Sequence, residues 1–326
     1  MTCQGLIEEF LNNFKSRIVS LPANQINYRL LLQKLMTMLY KDSLQNISRT
    51  GALYWLLGLI ITLSSCNVGG PSLDVLDDKD QALLSNEQRG NKVHRVGQFF
   101  VHYPKDSYTA NQLADFEEEL PAAKLKALNL VGVPAFEDEL HIIVFETREA
   151  LQAHTNSPGL FYADPTFPTY YVVHNENTRP YITHGLFQKI AYKEWGLPRR
   201  ADMLALGGAA YADARCKDYQ FPFDDVGAYL ANSGNLMSYR AMFRQFAPAY
   251  KGAPRIAEIQ AAGLFQFLYD NFGRDKIKLL WQRGMSRIEG TYGLSDGEVE
   301  MEISGRWKRM QPKENMDWES IKKFGC

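Results

Sequence analysis

With 326 residues, 45% apolar content and 12% aromatic residues, the chain can bury a large core, which excludes a disordered protein and predicts one big domain or two smaller ones. Its 36 basic and 37 acidic residues give a net charge of -1 and are interspersed. No long basic run exists to serve as a nucleic-acid footprint, and no polyanion partner is implied.

Residues 1–35 have the amphipathic pattern of a helix, which has no role in front of an export signal; Met36 or Met38 is the alternative start. Residues 51–65, GALYWLLGLIITLSS, are apolar and free of charge, follow Lys41 and Arg49, and so have the layout of a signal peptide. Spanning a bilayer core takes roughly 20 apolar residues, so a stable transmembrane helix is the weaker reading. The last three of these residues, Leu63, Ser64 and Ser65, together with Cys66 resemble the bacterial lipobox, in which small residues precede a cysteine whose thiol takes a diacylglyceryl group. The resemblance implies lipid attachment at Cys66 and a membrane contact made through that lipid. Two or three acyl chains anchor durably where one is marginal. Asn67 and Val68 leave no aspartate at the second mature position, which resembles an outer-membrane sorting signal facing the periplasm. A buried cysteine behind a signal anchor is the competing reading.

Residues 66–92 are polar, acidic and aperiodic, and are expected to be a flexible tether, with the fold starting near Val93. Strands are expected at Gln98–Tyr103, Glu139–Phe145 and Pro168–His174. Between the first two lies a helix, Asn111–Val131, with Thr109 as its cap and Pro121 as a break or fresh start. From Pro180 the strand signals stop. Residues Ile182, Leu186, Phe187, Ile190, Ala191 and Trp195 share one face of a helix over Tyr181–Trp195. Further helices are expected at Asp202–Arg215, Asn235–Phe246, Arg255–Phe272, Asp275–Met285 and Asp296–Met310, with Ser295 as a cap and Gly273 as a stop. The fold class is therefore α+β: a small mixed sheet with helices, then a helical bundle over 93–310, and a loose tail at 311–326.

This order of parts, a VHYP-type opening strand, a helix pair, a strand ending in a surface loop, a helix, a short connection ending in LP, the small-residue helix MLALGGAAY and a long apolar helix ending in YDNFG, resembles the peptidase-MA-like gluzincins over residues 98–290. Active members carry HExxH on the first bundle helix and a WLSEGLAxY-like segment on the next, whose glutamate is the third zinc ligand. Two histidines at i and i+4 bind the metal from one helix face, and the glutamate activates the bound water. Here the matching residues are His184, Gly185, Gln188 and Leu206, so only the first histidine remains. One histidine cannot hold catalytic zinc, which needs three protein ligands. The resemblance thus implies a degenerate site, with no metal, no cofactor and no catalytic residue, and a peptidase-like domain that binds a peptide or protein in the cleft. A metal-dependent hydrolase with rearranged ligands is the alternative.

No phosphate loop and no GxSxG elbow occurs. Gly207 to Ala210 form a small-residue stretch expected to let another helix approach closely. With Cys3 removed and Cys66 acylated, Cys216 and Cys326 remain, either as a disulfide, which an oxidising compartment permits, or as two free thiols.

Overall fold

A five-stranded mixed sheet opens the described part of the protein, whose computed structural model describes residues 73–312 apart from 158, 214 and 217–220, together with 316, 318 and 319; the side chains of 215, 216 and 221 are also outside it. All described residues belong to the unit Pro71–Cys326. The lipobox residues Leu63, Ser64, Ser65 and Cys66, and Cys326, lie outside the described residues, as does the side chain of Cys216.

In chain order a 3-10 turn (Leu73–Val75) and helix α1 (Asp78–Leu84) precede strands β1 (Asn91–Val96) and β2 (Phe99–Pro104). The two strands form a hairpin, turned at Gly97 with φ +62° so that Val96 pairs with Phe99. A positive φ suits glycine, and a tight turn of this kind keeps the twist of the flanking strands. Helix α2 (Leu113–Val131) then leads to β3 (Leu140–Phe145), α3 (Arg148–Thr155), β4 (Phe161–Ala163) and β5 (Thr169–Val173). The strand order is β1-β2-β3-β5-β4, parallel at β2–β3 and β3–β5 and antiparallel at both edges. Strands β3 and β5 are buried throughout, which is why they read as unbroken apolar runs and lack polar alternation.

The carboxyl half is helical: α4 (Ile182–Trp195), α5 (Asp202–Asp213), α6 (Phe223–Asn232), α7 (Tyr239–Arg244), α8 (Phe246–Gly252), α9 (Pro254–Phe272), α10 (Arg274–Arg283), α11 (Ile288–Tyr292) and α12 (Asp296–Arg309). A two-residue hairpin, β6 (Arg215–Cys216) with β7 (Phe221–Pro222), interrupts it after α5. The fold is α+β, as the sequence predicts. Ser295 caps α12 in a full capping box with Glu298, which satisfies two orphan amides at once. Small residues set the helix spacing: a Cβ on Gly207 would lie 2.2 Å from the Ala261 carbonyl oxygen, so α5 and α9 approach backbone to backbone. Trp307 of α12 covers Gly227 of α6 and Gly263 of α9, where an added Cβ would come within 2.3 Å of its ring in each case.

Several expectations are corrected. Residues 78–84 of the expected tether form α1, whose Asp80 is fully buried and accepts hydrogen bonds from Tyr171 Oη and His154 Nε2, both at 2.7 Å. That acid is buried because both its oxygens are satisfied. Pro121 does not break α2: the buried face Phe116, Leu120, Ala123, Ala127 and Val131 runs through it in register. Thr109 does not cap that helix; it lies in a 3-10 turn, and its Oγ1 contacts His174 Nδ1 at 3.0 Å. The helix expected at Asn235–Phe246 begins at Tyr239 and gives way at Gln245 to a second short helix. Of the tail, Trp318 is packed against the core, its ring 6.0 Å from that of Tyr229.

Candidate functional site

Helix α4 carries three of the four positions that matter, and it runs through the interior between α2 and α5. His184, one turn in, is 1% exposed. Its ring lies 3.9 Å from that of Phe161, and its Nδ1 is 3.4 Å from Asp213 Oδ2 at the end of α5. Asp213 follows Leu206 by seven residues, two helical turns along the same face. The acid that meets His184 therefore comes from the helix the resemblance indicates, two turns beyond the expected ligand position. Leu206 itself is partly buried against the apolar core.

At Gly185 the space for a general base is already filled. A Cβ there would lie 2.2 Å from the ring of Tyr170, which is itself fully buried on β5. The Tyr170 hydroxyl donates to the Tyr181 carbonyl oxygen, which also accepts the Gly185 amide at 3.2 Å. Burial raises the Tyr170 pKa well above its ordinary value, with the Asp213 charge adding to the effect, so the phenol stays neutral. Gln188 is buried as well. Glycine at 185 is a steric requirement of this packing, and no carboxylate could stand there without moving the tyrosine.

Could His184 and Asp213 hold a metal? They supply two groups, and among the described residues no set of three or more His, Cys, Asp or Glu side chains is placed to bind one. The nearby His174 faces α2: its Nε2 lies 3.6 Å from Asp115, and its ring meets Phe116 edge-on. The chemistry available at the resembled site is that of a closed polar pair inside an aromatic wall.

Two polar arrangements escape the sequence. Lys189, buried next to Gln188, donates from Nζ to the carbonyl oxygens of Asp164 and Phe167, both at 2.5 Å, and so ties the β4–β5 loop to α4. Burial pulls its pKa down to about 8, against the opposing pull of the Asp164 carboxylate. On the far face of the sheet His102 Nε2 and His141 Nδ1 lie 2.9 Å apart, with parallel rings 5.1 Å between centroids. Burial, then the neighbouring His141 and Arg89, lowers His102 to about 3; burial lowers His141 to about 4 although Asp80 opposes it. Both imidazoles are neutral at pH 7. A lysine or histidine inside an apolar run is the available sequence signal, but it does not name the partner.

A scan of the chain against protein-family models finds no match, and a search of the curated proteins finds none. Among the described residues no helix is long and apolar enough to cross a membrane.

Proposed function

We propose that the protein is a lipid-anchored component of the cell envelope whose folded domain is a non-catalytic, gluzincin-like scaffold for a peptide or protein ligand. The observation that carries the non-catalytic part is the Tyr170 ring against Gly185, which occupies the volume a water-activating carboxylate needs. Burial of His184 and Gln188 adds to it, since a substrate cannot reach either. Ligand contact then falls to surfaces outside these positions. Anchoring rests on the lipobox-like Leu63, Ser64, Ser65 and Cys66 and the charge-free segment before them, with an outer-membrane location facing the periplasm.

A second reading, a hydrolase with rearranged metal ligands, draws on the His184–Asp213 pair, in which His184 Nε2 and Asp213 Oδ2 have no hydrogen-bond partner among the described residues. Metal analysis of the purified full chain separates the two. The first reading expects no stoichiometric zinc; zinc that disappears in His184→Ala would overturn it and favour the second. Labelling cells with a fatty-acid analogue tests anchoring: the parent incorporates label and Cys66→Ser does not, and equal labelling of both would refute the assignment.

A further inference from the structure

We propose that the cavity between the α4–α5 loop and the α10–α11 loop binds a phosphorylated ligand through Arg199, Arg200, Arg283 and Arg287. The cavity has a volume of 710 Å³, and none of its nine lining residues is acidic. Small-ligand sites typically measure about 300–1,000 Å³. Besides the four guanidinium groups the wall offers the hydroxyls of Ser286 and Thr291, and Thr291 Oγ1 is buried with no hydrogen-bond partner among the described residues. The lining thus presents hydrogen-bond donors and positive charge to one half-open cleft.

The cavity wall offers these arginines no acid to pair with. Arg255 and Arg306 pair with Glu258 and Asp224. The four cavity arginines are exposed and make no ion pair among the described residues. The nearby acids Asp202 and Glu289 line a separate, adjoining cavity, which shares only Arg200 and Ser286 with this one. A guanidinium presents planar paired donors that match two phosphate oxygens, and several converging on one anion make charge-assisted bonds that a single exposed arginine does not.

The segments that carry the charges are also fixed in advance. Trp281 Nε1 donates to the Gly196 carbonyl at 2.7 Å and Gln282 Nε2 to that of Trp195 at 3.1 Å. The Arg199 amide donates to the Trp281 carbonyl at 3.0 Å, and the Met285 amide to that of Arg200 at 3.4 Å. Arg200 sits at φ +51°, a left-handed conformation unusual for a residue with a side chain, and Gly284 passes so near Arg199 that a Cβ would lie 2.6 Å from its carbonyl oxygen. A wall built before the ligand arrives loses little ordering entropy on binding. In the sequence, the segments LPRRAD and WQRGMSR carry these residues, and an overall charge of -1 conceals them.

The phosphate can belong to a soluble ester or to a lipid headgroup, and the test has an arm for each. The full chain and an Arg283→Gln/Arg287→Gln variant, matched in circular dichroism, are titrated calorimetrically with pyrophosphate and inorganic phosphate against a chloride control. They are also sedimented with phosphatidylcholine vesicles with and without phosphatidylglycerol. Saturable phosphate or pyrophosphate binding, weakened at least tenfold in the variant, supports the site for a soluble ligand. A phosphatidylglycerol-dependent gain in sedimentation that the variant loses supports it for a headgroup. Heat no greater than chloride gives, together with sedimentation indifferent to phosphatidylglycerol, overturns the proposal, as does equal binding by parent and variant. Because both comparisons are differences between matched chains, they stand or fall independently of the acyl anchor.

Discussion

His184 Nδ1 stands 3.4 Å from Asp213 Oδ2, with the two side chains 1% and 4% exposed. Each limits the cost of burying the other, since an uncompensated buried polar group costs about 1–3 kcal/mol. Asp213→Ala is therefore expected to lower stability by about that amount, and the double variant with His184→Ala by less than the sum of the two single losses. Urea unfolding measures all three variants, and additive losses would show that the pair is not coupled.

Gly185→Ala tests the packing of Tyr170. Replacing a mid-helix glycine by alanine ordinarily stabilises by about 0.5–1 kcal/mol. Here the added methyl would lie 2.2 Å from the ring, and overpacking a full core costs about 1–3 kcal/mol. The net sign is expected to be destabilising. Adding Tyr170→Leu opens room for the methyl, so in a double-mutant cycle Gly185→Ala is expected to cost less in that background; an unchanged cost would show that the ring is not what excludes it.

Acid should weaken the fold through the sheet histidines. The folded pKa values of His102 and His141, about 3 and about 4, lie below the ordinary value of 6.5. As pH falls below 6.5 the unfolded chain gains protons that the native protein refuses, so the stability present above 6.5 is lost toward 4. A tenfold difference in proton affinity between the folded and unfolded chain is worth about 1.4 kcal/mol per group, which makes the combined loss between pH 6.5 and 4.5 several kcal/mol. Urea midpoints across this range check it. The His102→Leu variant is expected to show a shallower decline, and an unchanged slope would remove the histidine pair as the cause.

Asp80 predicts how far the chain can be shortened from its amino end without losing stability. Removing one partner of a buried, hydrogen-bonded ionic contact costs about 3–5 kcal/mol. Asp80→Ala leaves Tyr171 Oη and His154 Nε2 without their acceptor and should lower the thermal midpoint by several degrees. A chain started at Val93 loses α1 altogether and is expected to be less stable than one started at Leu73. Equal melting of the two would show that α1 contributes nothing.

Where apolar residues recur over several turns, as in α4 and α9, the elements are legible to within a residue or two, although the middle turns of both helices are buried all round. Edge strand β1, NKVHRV, and the three-residue β4 carry too little pattern to announce themselves. Helix α1 reads as a tether because its one buried residue is an aspartate, whose burial depends on Tyr171, 91 residues away. That Gly185 and Gln188 lack the side chains the gluzincin resemblance implies is plain in the sequence, whereas the reason for glycine at 185 is not. That reason is a tyrosine on a neighbouring strand, and contacts between distant residues leave no local periodicity. For the same cause the resemblance points to Leu206 as the position of the third ligand, and nothing in the sequence points to Asp213 as the acid that faces His184.

The contact of Trp307 with Gly227 and Gly263 also bears on the order of events during synthesis. Two glycines in different helices share a single indole, whose Nε1 donates to Asp224 at 3.0 Å, and that indole lies on α12, which follows both helices in the chain. Until residue 307 is available, α6 and α9 face each other across an unfilled slot. Contacts of such wide sequence separation are entropically costly to close early. Consolidation of this part of the bundle therefore waits for residue 307, and a polypeptide cut before α12 is expected to leave the Gly227 and Gly263 faces open to water.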